Sequence, residues 1–423
     1  MKTTRRFAIS AIVAIALVIS GCDQGFEDPL PPRDGLFYPI GMEMHPDGRF
    51  LYVVNSNFNR TYRPAQGGTV SVIDTQEGEI LGQSSPFIPS FGSQIALNAE
   101  GDRAYVPTRH NNEISVLTVA EQGQAIYCDG EDGPTANPDD CTSRRVPDSS
   151  GARRIPTDPF AISVGEAERQ GERFDTVHLS HLGSDAVTAM AMPGGNLSGS
   201  SMRSASLLSG GANQLAVRPG TEVVFAAPRG TNEVAGFRPF INNAGEVEAI
   251  VRAGSVRLTS RDRSLNARGM EFNDDGSELY VATRSPAALY VVGMEADGGS
   301  PAVIDTITLE HRPSELHGHR GPDGVKRLYI PSYERGVVEV VDVEQGAVID
   351  IIEVGRSPYS VRTDQGTNCQ QAGERCQGYV TLFDAGEDRF ERCDDGTGFC
   401  GAVAVIDLDP ESDDYHKVID VID

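Results

Sequence analysis

The chain has 423 residues, a formal net charge of −25, seven cysteines, 46 glycines, 25 prolines and no tryptophan. A hydrophobic share of 39% and a charged share of 23% match a soluble globular protein. They exclude wholesale disorder and a polytopic membrane protein, and the length excludes a small disulfide-stapled module. Lysine occurs only at Lys2, Lys326 and Lys417, so the acidic balance also excludes nucleic acid as a partner, which takes clustered basic side chains.

Residues 1–22 read MKTTRRFAISAIVAIALVISGC. A basic start (Lys2, Arg5, Arg6), an apolar run from Phe7 to Ile19 and small residues before Cys22 predict an export signal over 1–21. About 13 apolar residues are too few for a bilayer that needs roughly 20. Ile19-Ser20-Gly21-Cys22 resembles the lipobox of bacterial lipoproteins, which implies lipidation of Cys22 and anchoring by two or more acyl chains. The body would then sit on the periplasmic face of the inner or outer membrane, or at the cell surface. Asp23 after that cysteine resembles the inner-membrane retention signal of enteric bacteria. Loss of three basic and no acidic residues takes the net charge from −25 to −28. Residues 22–36, rich in Pro and polar side chains, predict a flexible tether.

Beyond the tether one five-residue segment recurs: YVVNS from Tyr52, YVPTR from Tyr105, VHLSH from Val177, FAAPR from Phe225, YVATR from Tyr280, YIPSY from Tyr329 and YVTLF from Tyr379. The spacings are 53, 72, 48, 55, 49 and 50 residues. A short lead-in segment precedes each, usually with a turn such as Pro46-Asp47-Gly48 or Asp274-Asp275-Gly276, in which Gly supplies the positive φ and Asp bonds the backbone. A Val-rich segment follows, such as TVSVID from Thr69 or VVEVVDV from Val337, and then a fourth, such as VIDTITL from Val303. Four strands in each of seven units predict an all-β, seven-bladed β-propeller of four-stranded antiparallel blades over 37–423. Two separate sandwiches would not need one unit repeated along the whole chain. The chain enters at an inner strand and leaves at an outer one, so ring closure is predicted to rest on packing, helped by residues 23–38.

HPDGRFLYVVNS from His45, GTVSVIDTQEGEILG from Gly68, DDGSELYVATR from Asp274 and PDGVKRLYIPS from Pro322 resemble the YVTN-repeat propellers, a bacterial family of seven-bladed, WD40-like propellers. The resemblance extends over residues 37–423 and is degenerate in blades three and four, where Val177 and Phe225 stand for Tyr. It implies an architecture rather than an activity, because propellers host unrelated functions. The lack of tryptophan leaves no WD dipeptide and no source for a tryptophan-derived quinone.

Apart from Cys22, the cysteines lie as close couples in polar insertions: Cys128 with Cys141, Cys369 with Cys376, and Cys393 with Cys400. In an exported chain these predict three local disulfides that staple loops, although fifteen pairings are formally open. Metal binding is the alternative, but no CxxC or paired Cys/His spacing occurs.

Aligning the repeats places the fifth anchor residue at the start of one set of loops: Ser56, Arg109, His181, Arg229, Arg284, Tyr333 and Phe383. The blade-to-blade loops add Arg268, Arg312 and Arg356. Arg109, His181, Arg229, Arg268, Arg284, Arg312 and Arg356 together suggest a cationic funnel at one end of the central channel, since guanidinium forks match carboxylate and phosphate geometry. The competing reading pairs each arginine with a carboxylate of a neighbouring blade. Glu315, His317 and His319 alternate along one strand of blade six and so share a face. They are a weak candidate for a divalent metal, with solvent-facing polar residues as the alternative. No nucleophile elbow, P-loop, dinucleotide fingerprint, HExxH or EF-hand loop is present.

These features predict a lipid-anchored extracytoplasmic scaffold that binds a protein partner or an anionic small molecule or glycan through its loop face, without a cofactor. The alternative is a propeller enzyme of lactonase or oxidoreductase type with a channel Arg/His site.

Overall fold

In the computed structural model the described residues are 32–56, 67–128, 155–192, 202–206, 208–294, 300–364, 369–371, 373, 375–386 and 401–423. They form seven antiparallel sheets, each built from consecutive strands ordered from the channel outwards. Blade one comprises Pro39–Met44, Phe50–Asn55, Gly68–Asp74 and Glu79–Ile80, and the short strand Phe87–Ile88 also pairs with its third strand. Blade two comprises Ala96–Leu97, Arg103–Thr108, Glu113–Ala120 and Ala125–Cys128, and blade three Pro159–Arg169, Glu172–His181, Ala186–Met192 and Met202–Ser206. Blade four runs through Ala212–Val217, Val224–Pro228, Glu233–Ile241 and Val247–Arg257, and blade five through Ala267–Phe272, Glu278–Arg284, Ala287–Gly293 and Ala302–Thr308. His317–Arg320, Lys326–Ser332, Val337–Asp342 and Ala347–Glu353 make blade six; Pro358–Thr363, Gln377–Leu382, Ala402–Asp407 and Val418–Ile422 make blade seven. Among the described residues no helix is long and apolar enough to cross a membrane.

The second and third strands of a blade are covered on both faces by the neighbouring blades. FLYVVN and GTVSVID, for instance, are buried at every residue, and strands covered on both faces read as continuous apolar runs. Outer strands such as Ala302–Thr308 are mostly exposed and carry Asp and Thr.

In blades one, two and six the recurring tyrosine bonds across to the next blade, whereas Tyr280 and Tyr379 donate to Glu278 and Asp364 of their own blades. Tyr52 donates to the Gly123 carbonyl of blade two at 2.7 Å, Tyr105 donates to Asp175 Oδ2 of blade three at 2.5 Å, and Tyr329 meets His416 Nε2 of blade seven at 3.2 Å. A buried aromatic with a polar tip thus fills the space between blades and bonds across it. Blade four substitutes Phe225, which stacks edge-to-face on Phe272 of blade five at 5.5 Å.

Blade three departs from the sequence alignment by one residue. Tyr52 pairs with Glu43 and Tyr280 with Glu271 on their inner strands; the matching partner in blade three, Ser163, pairs with His178, not Val177. His178 therefore fills the tyrosine slot and packs against Phe237 of blade four at 6.3 Å. Val177 lies on the opposite face, where Leu51 and Leu279 lie in their blades. The loop-entry residue of blade three is consequently Leu182, whose N–H bonds the Asp158 carbonyl as Arg109 N–H bonds the Phe91 carbonyl.

The residue leading into the inner strand is left-handed in five blades: Tyr38, Phe91, Asp158, Asn266 and Ser357 have φ between 50° and 61°. Non-glycine residues rarely adopt this conformation. Its recurrence at one register marks a built turn that swings the chain from the rim of one blade to the channel of the next.

Among the described residues the ring closes between blades seven and one without an exchanged strand. Leu36, Met42, Met44, Leu51 and Val53 pack with Tyr379, Val403, Val405 and Ile422. Tyr38 stacks on Phe383 at 5.3 Å, and Arg362 Nε lies 3.2 Å from Glu43 Oε2. Residues 36–38 are buried in this seam.

Candidate functional site

Bulges in the inner strands aim side chains into the mouth of the channel. In blades one, three and five the pairing slips between the first and third residues, at Ile40, Phe160 and Arg268, and in blade seven the irregular stretch contains Tyr359. A bulge leaves one residue out of the ladder and re-aims its side chain, a device concentrated near sites. Ile40, Arg268 and Tyr359 meet Arg284, Ser314, Tyr333 and Phe383 around a cavity of about 220 Å³ on the side of blades five, six, seven and one.

Arg268 is the charged centre of this cavity. Its Nη1 reaches only Asn213 Oδ1, at 3.4 Å, and its Nε is buried without a hydrogen-bond partner. Among the described residues no carboxylate lies within ion-pair distance of it. Burial lowers its affinity for the proton and Arg284 and Arg229 oppose its charge, so its pKa lies below the ordinary arginine value. A guanidinium stays charged under these conditions, so Arg268 sets a half-buried positive charge at the cavity with no carboxylate beside it among the described residues. Burial likewise pushes Tyr359 up to about 12, so its hydroxyl remains a neutral donor at physiological pH.

The other funnel candidates divide into two groups. Arg109 Nε lies 2.5 Å from Asp158, Arg284 Nη2 2.5 Å from Glu334, Arg312 Nη1 3.8 Å from the same Glu334 and Arg356 Nη2 3.9 Å from Asp384. These four follow the pairing alternative, closely for Arg109 and Arg284 and loosely for Arg312 and Arg356, because the acid-rich loops supply a carboxylate beside each. Arg229 has no carboxylate partner among the described residues, and it lies near enough to Arg268 to oppose its charge. His181 is not at the mouth. The one-residue shift in blade three turns it inwards, fully buried, with Nε2 2.9 Å from Thr188 Oγ1, and burial holds its pKa down to about 4.

Glu315, His317 and His319 do not converge. Glu315 Oε1 accepts from Arg362 Nη1 at 3.1 Å. The imidazoles do share a face, since His317 Nε2 and His319 Nδ1 both meet Thr363 Oγ1, at 3.3 and 3.1 Å. His317 Nδ1 also lies 3.3 Å from Glu271 Oε2. Burial raises the pKa of Glu271, but His317, Lys326 and the Gly318 N–H outweigh it and hold the carboxyl below its usual range. Glu43 and Glu315 on Arg362, and His317 and Lys326 on Glu271, thus form two ion-paired groups along the inner side of blades one, five, six and seven that sequence reasoning did not identify. His319 Nε2 is 3.5 Å from Cys376 Sγ, but that sulfur is bonded to Cys369 at 2.06 Å, so the His319, Cys369 and Cys376 group offers a metal no free thiolate. Cys128 is also disulfide-bonded. Cys22, Cys141, Cys393 and Cys400 lie outside the described residues.

Seven consecutive four-stranded sheets around one channel decide the architecture. The protein is a seven-bladed β-propeller. No protein-family model and no curated protein matches the sequence. Solved propellers match in shape: the periplasmic gluconolactonase of Pseudomonas aeruginosa, at 16% identity and a TM-score of 0.56, covers 77% of this chain and 87% of its own. Chaetomium thermophilum Sqt1, bound to the N-terminus of a ribosomal protein, is 11% identical with a TM-score of 0.54 over 92% of this chain and 88% of its own. Hydrazine synthase of Kuenenia stuttgartiensis is 14% identical with a TM-score of 0.54, covering 82% and 93%. Identities this low establish the fold that the propeller shares with these proteins and nothing of its chemistry.

Proposed function

We propose that the propeller is an exported binding protein, anchored through lipid on Cys22, that engages an anionic ligand or an acidic segment of a protein partner at the mouth of its channel. The observation that carries this reading is Arg268, a bulge-directed guanidinium with a buried, unpartnered Nε–H and no carboxylate partner among the described residues. The cavity lining supports binding over hydrolysis. The described lining residues include no carboxylate, imidazole or thiol, and general acid–base work needs a group that titrates near the working pH. The Sqt1 neighbour, solved with a bound protein segment, shows that this architecture accommodates a peptide partner.

The test is a thermal-shift and calorimetric survey of the purified protein with small carboxylates, inorganic phosphate, sulfate and an acidic peptide. At least one anion raises Tm and binds, and Arg268→Gln abolishes both effects while leaving the ligand-free Tm within a few degrees. An absence of response, or a response unchanged by Arg268→Gln, refutes the reading. Anchoring is tested separately: Cys22→Ser moves the protein from the membrane fraction to the soluble one.

A further inference from the structure

We infer that the mouth cavity selects a small aromatic monocarboxylate. The inference rests on the binding reading above and specifies which anions the cavity accepts.

Charge sets the valence. Of the two guanidiniums on the lining, Arg284 is offset by Glu334 at 2.5 Å, whereas Arg268 has no carboxylate partner among the described residues. The lining itself therefore presents one positive charge without a carboxylate beside it, which matches a singly charged carboxylate, and Arg229 adds to it from nearby. Donor geometry agrees. The terminal edge of a guanidinium presents parallel N–H donors to the two oxygens of a carboxylate, while the Nε–H groups of Arg268 and Arg284 are closed off from the cavity space.

Size and wall chemistry set the remainder of the molecule. The cavity holds about 220 Å³, room for about seven waters at their liquid share. A compact group of on the order of ten non-hydrogen atoms matches that space at the density of packed organic matter. The apolar wall is Ile40 with the rings of Tyr333, Tyr359 and Phe383. Phe383 stands at 54° to Tyr333, with centroids 6.2 Å apart, a tilted arrangement in which an inserted ring finds both edge and face contacts. The Ser314 hydroxyl is already committed, accepting from Tyr333 N at 2.9 Å and donating to the Pro358 carbonyl at 3.3 Å. Beyond the guanidiniums, the described lining offers a ligand's hydroxyls the phenolic groups of Tyr333 and Tyr359, and Tyr359 already bonds Asn213; a polyhydroxylated acid of the same size would therefore bury several hydroxyls without partners, a costly burial. A flat apolar body with one carboxylate meets no such cost.

The experiment is calorimetric titration of the full-length purified protein with phenylacetate, acetate, cyclohexylacetate, benzyl alcohol, inorganic phosphate and an oligoglutamate peptide. Phenylacetate is expected to bind at least tenfold more tightly than any of the other small probes. Arg268→Gln is expected to weaken it tenfold or more, with partial rescue by Arg268→Lys, and Phe383→Leu to erase its advantage over cyclohexylacetate. If Arg268→Gln fails to fold, the Phe383→Leu comparison and Arg268→Lys carry the decision. Equal affinity for acetate, phosphate and phenylacetate, or binding of the acidic peptide alone, overturns this inference and leaves the binding reading standing. No binding by any probe, or binding untouched by the Arg268 variants, overturns both.

Discussion

His178 in the tyrosine slot of blade three makes the ring acid-labile, and His178→Phe tests it. The side chain is 1% exposed, and burial holds its pKa down to about 4, against about 6.5 in the unfolded chain. Between these values the unfolded chain binds a proton that the folded chain does not. The stability contribution is intact above pH 6.5, declines as the pH drops, and is fully lost below 4. Linkage makes the step from pH 7 to pH 5 cost about 2 kcal/mol at this one residue. Phenylalanine fits the slot, because Phe225 occupies it in blade four and packs on Phe272 much as His178 packs on Phe237. Urea unfolding of wild type and His178→Phe at pH 7 and pH 5 is the assay. Near-equal stabilities are expected at pH 7 and about 2 kcal/mol in favour of the variant at pH 5. His181, also held near 4, keeps some acid sensitivity in the variant. A variant that loses as much stability as the wild type between the two pH values would refute the assignment of the proton to His178.

Arg362→Met is expected to destabilise the ring by about 3–5 kcal/mol, because it strands the carboxylates of Glu43 and Glu315, and the triple change with Glu43→Gln and Glu315→Gln should recover most of that loss in chemical denaturation. Tyr105→Phe removes the partner of the buried Asp175 carboxylate and should cost about 1–3 kcal/mol, read as a lower urea midpoint. Cys369→Ser with Cys376→Ser opens a loop of sequence separation seven and should lower stability by about 2–3 kcal/mol, an effect that vanishes when wild type and variant are compared under reducing conditions.

The fold was legible because its constraints are local. The units share a turn glycine, as at Gly276 with φ 70°, an aromatic slot between blades that holds tyrosine in five of the seven, and strands apolar on both faces, and all three leave marks at a fixed spacing. Closure by packing was legible from where the repeat starts and stops. The sequence alignment of blade three is off by one because an apolar residue, Val177, adjoins the histidine that occupies the tyrosine slot, and strand alternation turns a one-residue error into the wrong face. For the site, Arg268 and Arg284 were legible, but not which arginine would remain unpaired, since that depends on Glu334, Asp158 and Asp384 approaching in space. Tyr359 was missed as a lining residue. A signal for it existed: Pro39-Ile40, Pro159-Phe160, Pro313-Ser314 and Pro358-Tyr359 repeat at the entry to the inner strands, and the residue after that proline is aimed at the mouth in blades one, six and seven. Proline at the first residue of a strand is a position it tolerates.

Because no strand is shared between the first and last blades among the described residues, each blade's described strands are consecutive in the chain. The ring is therefore modular at the level of the gene. Duplication or loss of a single unit changes the number of blades without rethreading any sheet, and new termini cut between two blades leave every sheet whole. In such a design the mouth can be altered blade by blade, one bulge residue at a time, while the interlocking tyrosines keep the wheel intact.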